Sequence, residues 1–198
     1  MFALVESGSI IKFLNGNKGI QIGDLKYPRA IYTLWTEAER NAIGIYSIVY
    51  DNTNKKDEQW YINTNQSYAF GSGKVTATYG TATAKAHADA NATDEDGVEL
   101  DPVLVIEGLK TKLIRDVKLE AANELTKTDW YITRKTEKST AIPSAITTHR
   151  NLVRSRQAAM ETSITNASDT PALETLYTYT TDSDGVVSRP LAEIPTLD

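Results

Sequence analysis

Two stripes of apolar residues at helical spacing, both in the second half of the chain, do most to limit the possible folds. Ile106, Leu109, Leu113, Val117, Ala121 and Leu125 recur at steps of three and four, and Ile114 widens the stripe. That is the period of a helix with one buried face, and it predicts a helix over 103–127. Ile146, His149, Val153, Met160 and Ile164 repeat the signature after Pro143, a residue suited to a first helical turn. A second helix is predicted over 143–167. Each stripe needs a cover, so the pair is expected to close as a two-helix hairpin. The stretch between them, "LTKTDWYITRKTEKSTAIP" (125–143), reads as an elaborated connector. It is chemically rich for a loop, with Asp129, Trp130, Arg134, Glu137 and a closing Ile142-Pro143.

Residues 1–82 read differently. "FALVES" and "IIKFL" flank a Gly-Ser turn, and "IYSIVYD", "QWYINTNQSYAF" and "GKVTATYGTATA" are β-branched and aromatic runs split by Asn, Asp and Gly. The order Trp60, Tyr61, Ile62, Asn63 suggests alternation on a half-buried sheet. "TEAERNAIG" reads as one short helix. Thr36 is its N-cap, Glu39 completes a capping box, and Gly44 closes it. The expected fold class is therefore α+β, a β-rich N-terminal domain with one short helix followed by the C-terminal two-helix hairpin. Residues 83–102, small and acidic, are read as a linker. Residues 103–168 form the hairpin domain, and 169–198 an extended tail with a possible strand in "LETLYTYTT" and a turn at "DSDG".

Charge is uneven. Residues 81–104 hold one lysine against six carboxylates, 105–160 eleven basic residues against six acidic ones, and 161–198 one arginine against seven carboxylates. Acidic flanks can offset a basic middle within one molecule, so the pattern does not by itself call for nucleic acid. No apolar run approaches the roughly 18 residues of a membrane span. The N-terminus lacks a basic start and its apolar stretch is broken by Glu6 and Ser7, which makes a poor signal peptide. Without cysteine there is no disulfide framework.

Known chemical motifs fail on specific residues. Around Gly73-Lys74, Tyr68 stands where a phosphate loop needs its first glycine and Val75 where it needs Ser or Thr. "ATDEDGVELDPV" places Asp94, Asp96 and Gly97 correctly for a calcium loop but has Ala92 and Val103 at its first and last ligand positions. His87 and His149, the two histidines, have no zinc spacing. No serine sits in a nucleophile elbow. No catalytic residue, metal or cofactor is expected, and the ten tyrosines read as sheet packing.

The hairpin text carries a resemblance. Arg115, then Leu125-x-x-Thr128-Asp129-Trp130, a connector with Arg134, Glu137 and Ile142-Pro143, then His149-Arg150-x-x-Val153-Arg154, is similar to the C-terminal module of phage tail assembly chaperones and tail-fibre assembly proteins. It covers residues 112–170. Where that family usually ends in Trp-Pro, this chain has Ile194-Pro195. "YPRAIYTLWTEAERNAIGIY" resembles a small module often found ahead of it, with Tyr27-Pro28, Trp35 and Glu39-Arg40-x-x-Ile43-Gly44-Ile45. The resemblance implies a non-enzymatic assembly protein whose partner is a phage tail-fibre or tail polypeptide, with a homo-oligomer compatible and no nucleic acid or membrane involved. It would act in the bacterial host cytoplasm during assembly. The alternative is a structural virion component such as a fibre, baseplate or adaptor protein. The expected partner-binding residues are Arg115, Arg150 and Arg154 on the hairpin face, with Trp130 and Arg134 at its tip. Trp130 could also staple the hairpin, with Thr128 or Asp129 capping the turn and Arg134 and Arg150 reaching Asp129 or Glu137.

Overall fold

A computed structural model describes residues 1–197. It is α+β, as expected, with a sheet-rich first part and helices at the C-terminal end. The chain divides into two units, Met1–Thr83 and Ala84–Asp198.

In the first unit, β1 (Phe2–Glu6) and β2 (Ser9–Leu14) form a hairpin whose turn, Ser7-Gly8, has positive φ at both residues. That geometry matches the twist of the strands it joins. A smaller hairpin follows, β3 (Ile20–Ile22) and β4 (Leu25–Tyr27). The segment after it contains α1 (Ile31–Leu34), so the unit has two short helices where one was expected. The second, α2 (Glu37–Ala42), has the expected capping box: Glu39 N–H donates to Thr36 Oγ1, and Thr36 N–H to Glu39 Oε2. Next come β5 (Ile45–Asp51), β6 (Tyr61–Ile62), β7 (Gln66–Gly71), β8 (Lys74–Tyr79) and β9 (Thr83–Ala84), the last pairing with β6.

The main sheet has the order β2-β1-β5-β8-β7, antiparallel except for the parallel pair β5–β8. Both its faces are covered. Ala3, Val5, Ile48, Val75 and Ala77 form one core, and Leu4, Ile45, Leu14, Ile31 and Tyr32 the other. A central strand buried on both sides must read as an unbroken apolar run, which is what "FALV" is. The sheet curls until its edge strands β2 and β7 meet, with the Phe13 and Tyr68 rings 4.5 Å apart. The alternation expected at Trp60–Asn63 does not hold: Trp60 and Tyr61 are both buried and Ile62 is exposed. Residues 57–61 form a turn, with the Trp60 and Tyr61 amides both returning to the Asp57 carbonyl, so the two-residue period never starts.

In the second unit, residues 84–102 are not a free linker. Asp89 accepts from Gly108 N–H and from the Thr111 hydroxyl, and the carbonyls of Ala86 and His87 accept from Leu109 and Lys110. These bonds satisfy the N–H groups that the start of a helix leaves unpaired. They hold the Asp89 carboxyl below its ordinary pKa, chiefly through the Gly108 amide. Ala88 lies so close to Gly108 that any Cβ there would fall 2.3 Å from its backbone. The first helix therefore starts later than its stripe suggested. Helix α3 is Leu109–Thr126, and Ile106 belongs to β11 (Val105–Ile106), paired with β10 (Ala90–Asn91).

The expected hairpin is α3 with α5 (Ser144–Asn166), running antiparallel: Lys110 Nζ donates to the Thr165 carbonyl at one end, and Arg150 to the Leu125 carbonyl at the other. Leu109, Leu113, Val117 and Ala121 pack the interior from one side and Ile146, Val153, Met160 and Ile164 from the other. The connector is itself a helix, α4 (Asp129–Lys138), with no buried residue. The tail is not simply extended. "LETLY" lies in α6 (Thr170–Tyr177), not in a strand. Asp169 caps it by accepting from Ala172 N–H, and Pro171 occupies its first turn. Strands β12 (Thr180–Thr181) and β13 (Val187–Ser188) follow, and Leu191 and Ile194 are buried.

One short sequence pattern recurs in this unit. Thr-Asp-x-Asp-Gly-Val occurs at 93–98 and 181–186. In both copies the first Asp carboxylate accepts two backbone N–H groups, and the glycine N–H returns to that Asp carbonyl. The same hexapeptide builds the same turn twice.

Candidate functional site

The two halves of the hairpin motif, twenty residues apart in sequence, meet at one guanidinium. Arg150, in the second turn of α5, donates through Nη1 to the Leu125 carbonyl at 2.8 Å, Thr128 Oγ1 at 2.7 Å and Asp129 Oδ1 at 2.8 Å. Arg150 and Thr128 are buried, while the Asp129 carboxylate stays largely in water. The Leu125 carbonyl, at the end of α3, also accepts from Thr128 N–H, so Arg150 adds a charged donor where that helix closes. Arg150 therefore presents no free face. Thr128 and Asp129 do not cap α4 as expected; they are acceptors for Arg150, and Thr128 Oγ1 donates to the Leu125 carbonyl.

Beside this joint lies a second buried group, Glu124. Its Oε1 accepts from His149 Nε2 at 3.1 Å and from Leu197 N–H at 2.9 Å, and Lys127 Nζ bonds its Oε2. The Lys127 bond is the main cause that holds the carboxyl below its ordinary value, helped by the Leu197 amide and His149 and opposed by burial. The end of α3 thus ties down both α5 and the chain's last described residue. Sequence reasoning passed over Glu124 and read Thr128 as a cap, not as a buried acceptor for Arg150. The available signal was their position: three and seven residues after Ala121, they continue the buried stripe with polar side chains.

Trp130 does not staple the hairpin. It is 51% exposed on α4, with its ring beside that of Tyr131. Arg134 lies 4.8 Å from the Trp130 ring and 5.0 Å from Tyr131, a cation–π arrangement within one helix. Neither Asp129 nor Glu137 reaches it among the described residues, and its Nε is buried without a hydrogen-bond partner. Ile132 is also exposed, and Lys135 and Lys138 follow in the last turn. This is a surface with an aromatic centre and a basic rim.

The other two expected residues lie elsewhere. Arg115 is on α3, ten residues before Leu125 and about 15 Å from it along the axis. Its guanidinium is held by both Glu107 carboxylate oxygens, at 2.9 and 2.8 Å. Arg154 is exposed and lines an open groove of about 600 Å³ along α5, with Leu125, Gln157 and Glu161. The structure pairs Trp130 with Arg134 on α4, sets Arg150 in the joint with Arg154 one turn further along α5, and leaves Arg115 apart.

In the first unit, the residues of the N-terminal resemblance also have physical roles. The Tyr27 and Trp35 rings meet edge to face at 5.9 Å, and Arg40 donates to the Trp35 carbonyl and lies over the Phe2 ring. Gly44, at φ +81°, passes so close to β1 that a Cβ would fall 2.7 Å from the Val5 carbonyl oxygen. Comparison with family models, curated proteins and solved structures returned no match. Among the described residues no set of His, Asp or Glu side chains is grouped as metal ligands would be, and no helix is long and apolar enough to cross a membrane.

Proposed function

We propose that this chain is a phage tail or tail-fibre assembly protein that works by protein–protein binding, as a chaperone for a tail-fibre or tail polypeptide, without catalysis. The observation that carries the reading is the Arg150 joint. The two separated pieces of the resemblance become one structural object, bonded at Leu125, Thr128 and Asp129. Its remaining large member, Trp130, is left outside. A half-exposed tryptophan beside an arginine is the composition of an interface hot spot. On this reading the joint holds the hairpin and α4 offers the contact.

Co-expression with tail and fibre gene products of the same genome tests it. One such product is expected to gain solubility and co-purify with this chain, and purified particles are expected to lack the chain by mass spectrometry. If no product gains solubility, the chaperone reading fails. Stoichiometric presence in particles would instead support a structural fibre, baseplate or adaptor role.

A further inference from the structure

The main sheet of the first unit brings its edge strands together, whereas the two-stranded sheets leave theirs unpaired among the described residues. β11 has a strand, β10, on one side only. Ala90 faces Ile106, Asn91 faces Val105, and Ala92 N–H donates to the Leu104 carbonyl at 2.7 Å. Backbone groups alternate sides along an antiparallel strand, so those of Leu104 and Ile106 are turned to β10 and those of Val103 and Val105 to the open side. The side chains here are apolar and uncovered: Val103, Leu104, Val105 and Ile106 are 58, 59, 52 and 57% exposed. Proteins usually blunt such an edge with a charge or a bulge on the strand itself. Residues 103–106 carry neither a charge nor a proline.

The surrounding charge selects the occupant. Residues 90–107 contain six carboxylates and no basic residue. Among the described residues only Glu107 is ion-paired, to Arg115. Two copies joined edge to edge would bring these like charges together, which disfavours self-pairing. A segment with apolar residues at alternate positions and lysines or arginines between them would bury the valines, pair the free N–H and C=O groups, and offset the carboxylates. We infer that the outer edge of β11 is a strand-addition site for an extended basic–apolar polypeptide segment. The site lies at the opposite end of α3 from Trp130, about 27 Å along the helix axis. It deepens the protein-binding reading above and rests on it for the class of partner.

The test uses the full chain and three labelled synthetic nine-residue peptides: valine alternating with lysine and threonine, the same with glutamate for lysine, and the lysine peptide with proline for threonine. Fluorescence anisotropy at low salt is expected to give the lysine peptide a Kd at least about tenfold below that of the glutamate peptide. The proline peptide, which cannot complete a ladder, is expected not to bind. The double variant Val103→Lys/Val105→Lys is expected to weaken binding by about tenfold or more, with its far-UV spectrum unchanged. Hydrogen exchange at Val103 and Val105 should slow when the lysine peptide is bound. The inference is overturned if the wild-type chain binds no peptide, if the proline peptide binds equally well, or if the double variant binds as wild type does. It is also overturned if sedimentation shows a dimer that the double variant abolishes, since a second copy then holds the edge. Peptide binding that persists while every tail product fails to co-purify would remove the assembly role and keep the site.

Discussion

The two units fix their geometry by different means. In the first, apolar side chains cover both faces of the sheet, and the strand edges β2 and β7 close on each other. In the second, apolar stripes bring α3 and α5 together, but the stripes end in polar groups: Glu124 on α3 and Thr128 just past its end, His149 and Arg150 on α5. Apolar packing sets that two helices touch; it discriminates weakly between registers one turn, about 5.4 Å, apart. A buried guanidinium with three fixed acceptors does discriminate. The sheet unit is held by burial, and the helical unit is held by burial and indexed by hydrogen bonds.

Removing Arg150 is the strongest way to break this comparison. Arg150→Ala removes three charge-assisted hydrogen bonds, one of them to the buried Thr128 hydroxyl, and the loss is expected to be about 4 kcal/mol. The helical signal at 222 nm in a urea titration should show it. The matching test of the sheet is Ile45→Ala, which empties a fully buried site between β1 and the helices above it. A cost of about 3 kcal/mol is expected, read by the fluorescence of Trp35 and Trp60 in a Trp130→Phe background. If Arg150→Ala moved the 222 nm transition by less than Ile45→Ala moves the fluorescence transition, the joint would be an accessory to packing and the contrast would lapse.

The same contrast explains what the sequence could reveal. The capping box at Thr36 and Glu39, the first hairpin (its turn at Ser7-Gly8, one residue before the Gly8-Ser9 expected) and the helix after Pro143 were legible because each rests on local chemistry or on a repeated apolar step. Helix α4 was not legible. It buries no residue, so "DWYITRKTEK" has no stripe to count. Helix α6 was misread because "LETLYTYTT" is rich in threonine and aromatics; the deciding signals, Asp169 and Pro171, stood just before it. The acidic stretch looked like a linker because its work is done by backbone carbonyls and the one carboxylate of Asp89, which composition does not expose. At the candidate site, Trp130 and Arg150 were both named. Their roles were partly exchanged: the arginine is inside and the tryptophan outside.

A smaller effect should separate the tail from the joint. The Glu124 carboxyl is held below its ordinary value of 4.5, first by the Lys127 ammonium, then by the Leu197 amide and His149. A depressed carboxyl contributes stability that is complete above the unfolded-state pKa and is lost as pH falls through the folded one. The 222 nm stability is therefore expected to carry the full Glu124 contribution near neutrality, without pH dependence from this group, and to decline in acid below about 4.5. Glu124→Gln should remove that part of the decline. Hydrogen exchange at Leu197 should accelerate over the same acid range in the wild type. An acid profile unchanged by Glu124→Gln would assign the decline to other carboxylates and leave the tail independent of this anchor.

The smallest expected change in stability belongs to Trp130, and that smallness is its value as a test. Its ring is half exposed and its ring contacts, Tyr131 and Arg134, lie on its own helix. Trp130→Ala should therefore cost no more than about 0.5 kcal/mol, against several for Arg150→Ala. Binding should respond in the opposite order. If α4 offers the contact, Trp130→Ala is expected to weaken co-purification of the tail or fibre partner by about 2 kcal/mol, roughly thirtyfold in Kd. A loss of stability above about 1.5 kcal/mol would make Trp130 a staple after all. Unchanged stability with unchanged binding would take Trp130 out of the site and move the contact to another surface, with the open edge of β11 next to be tested.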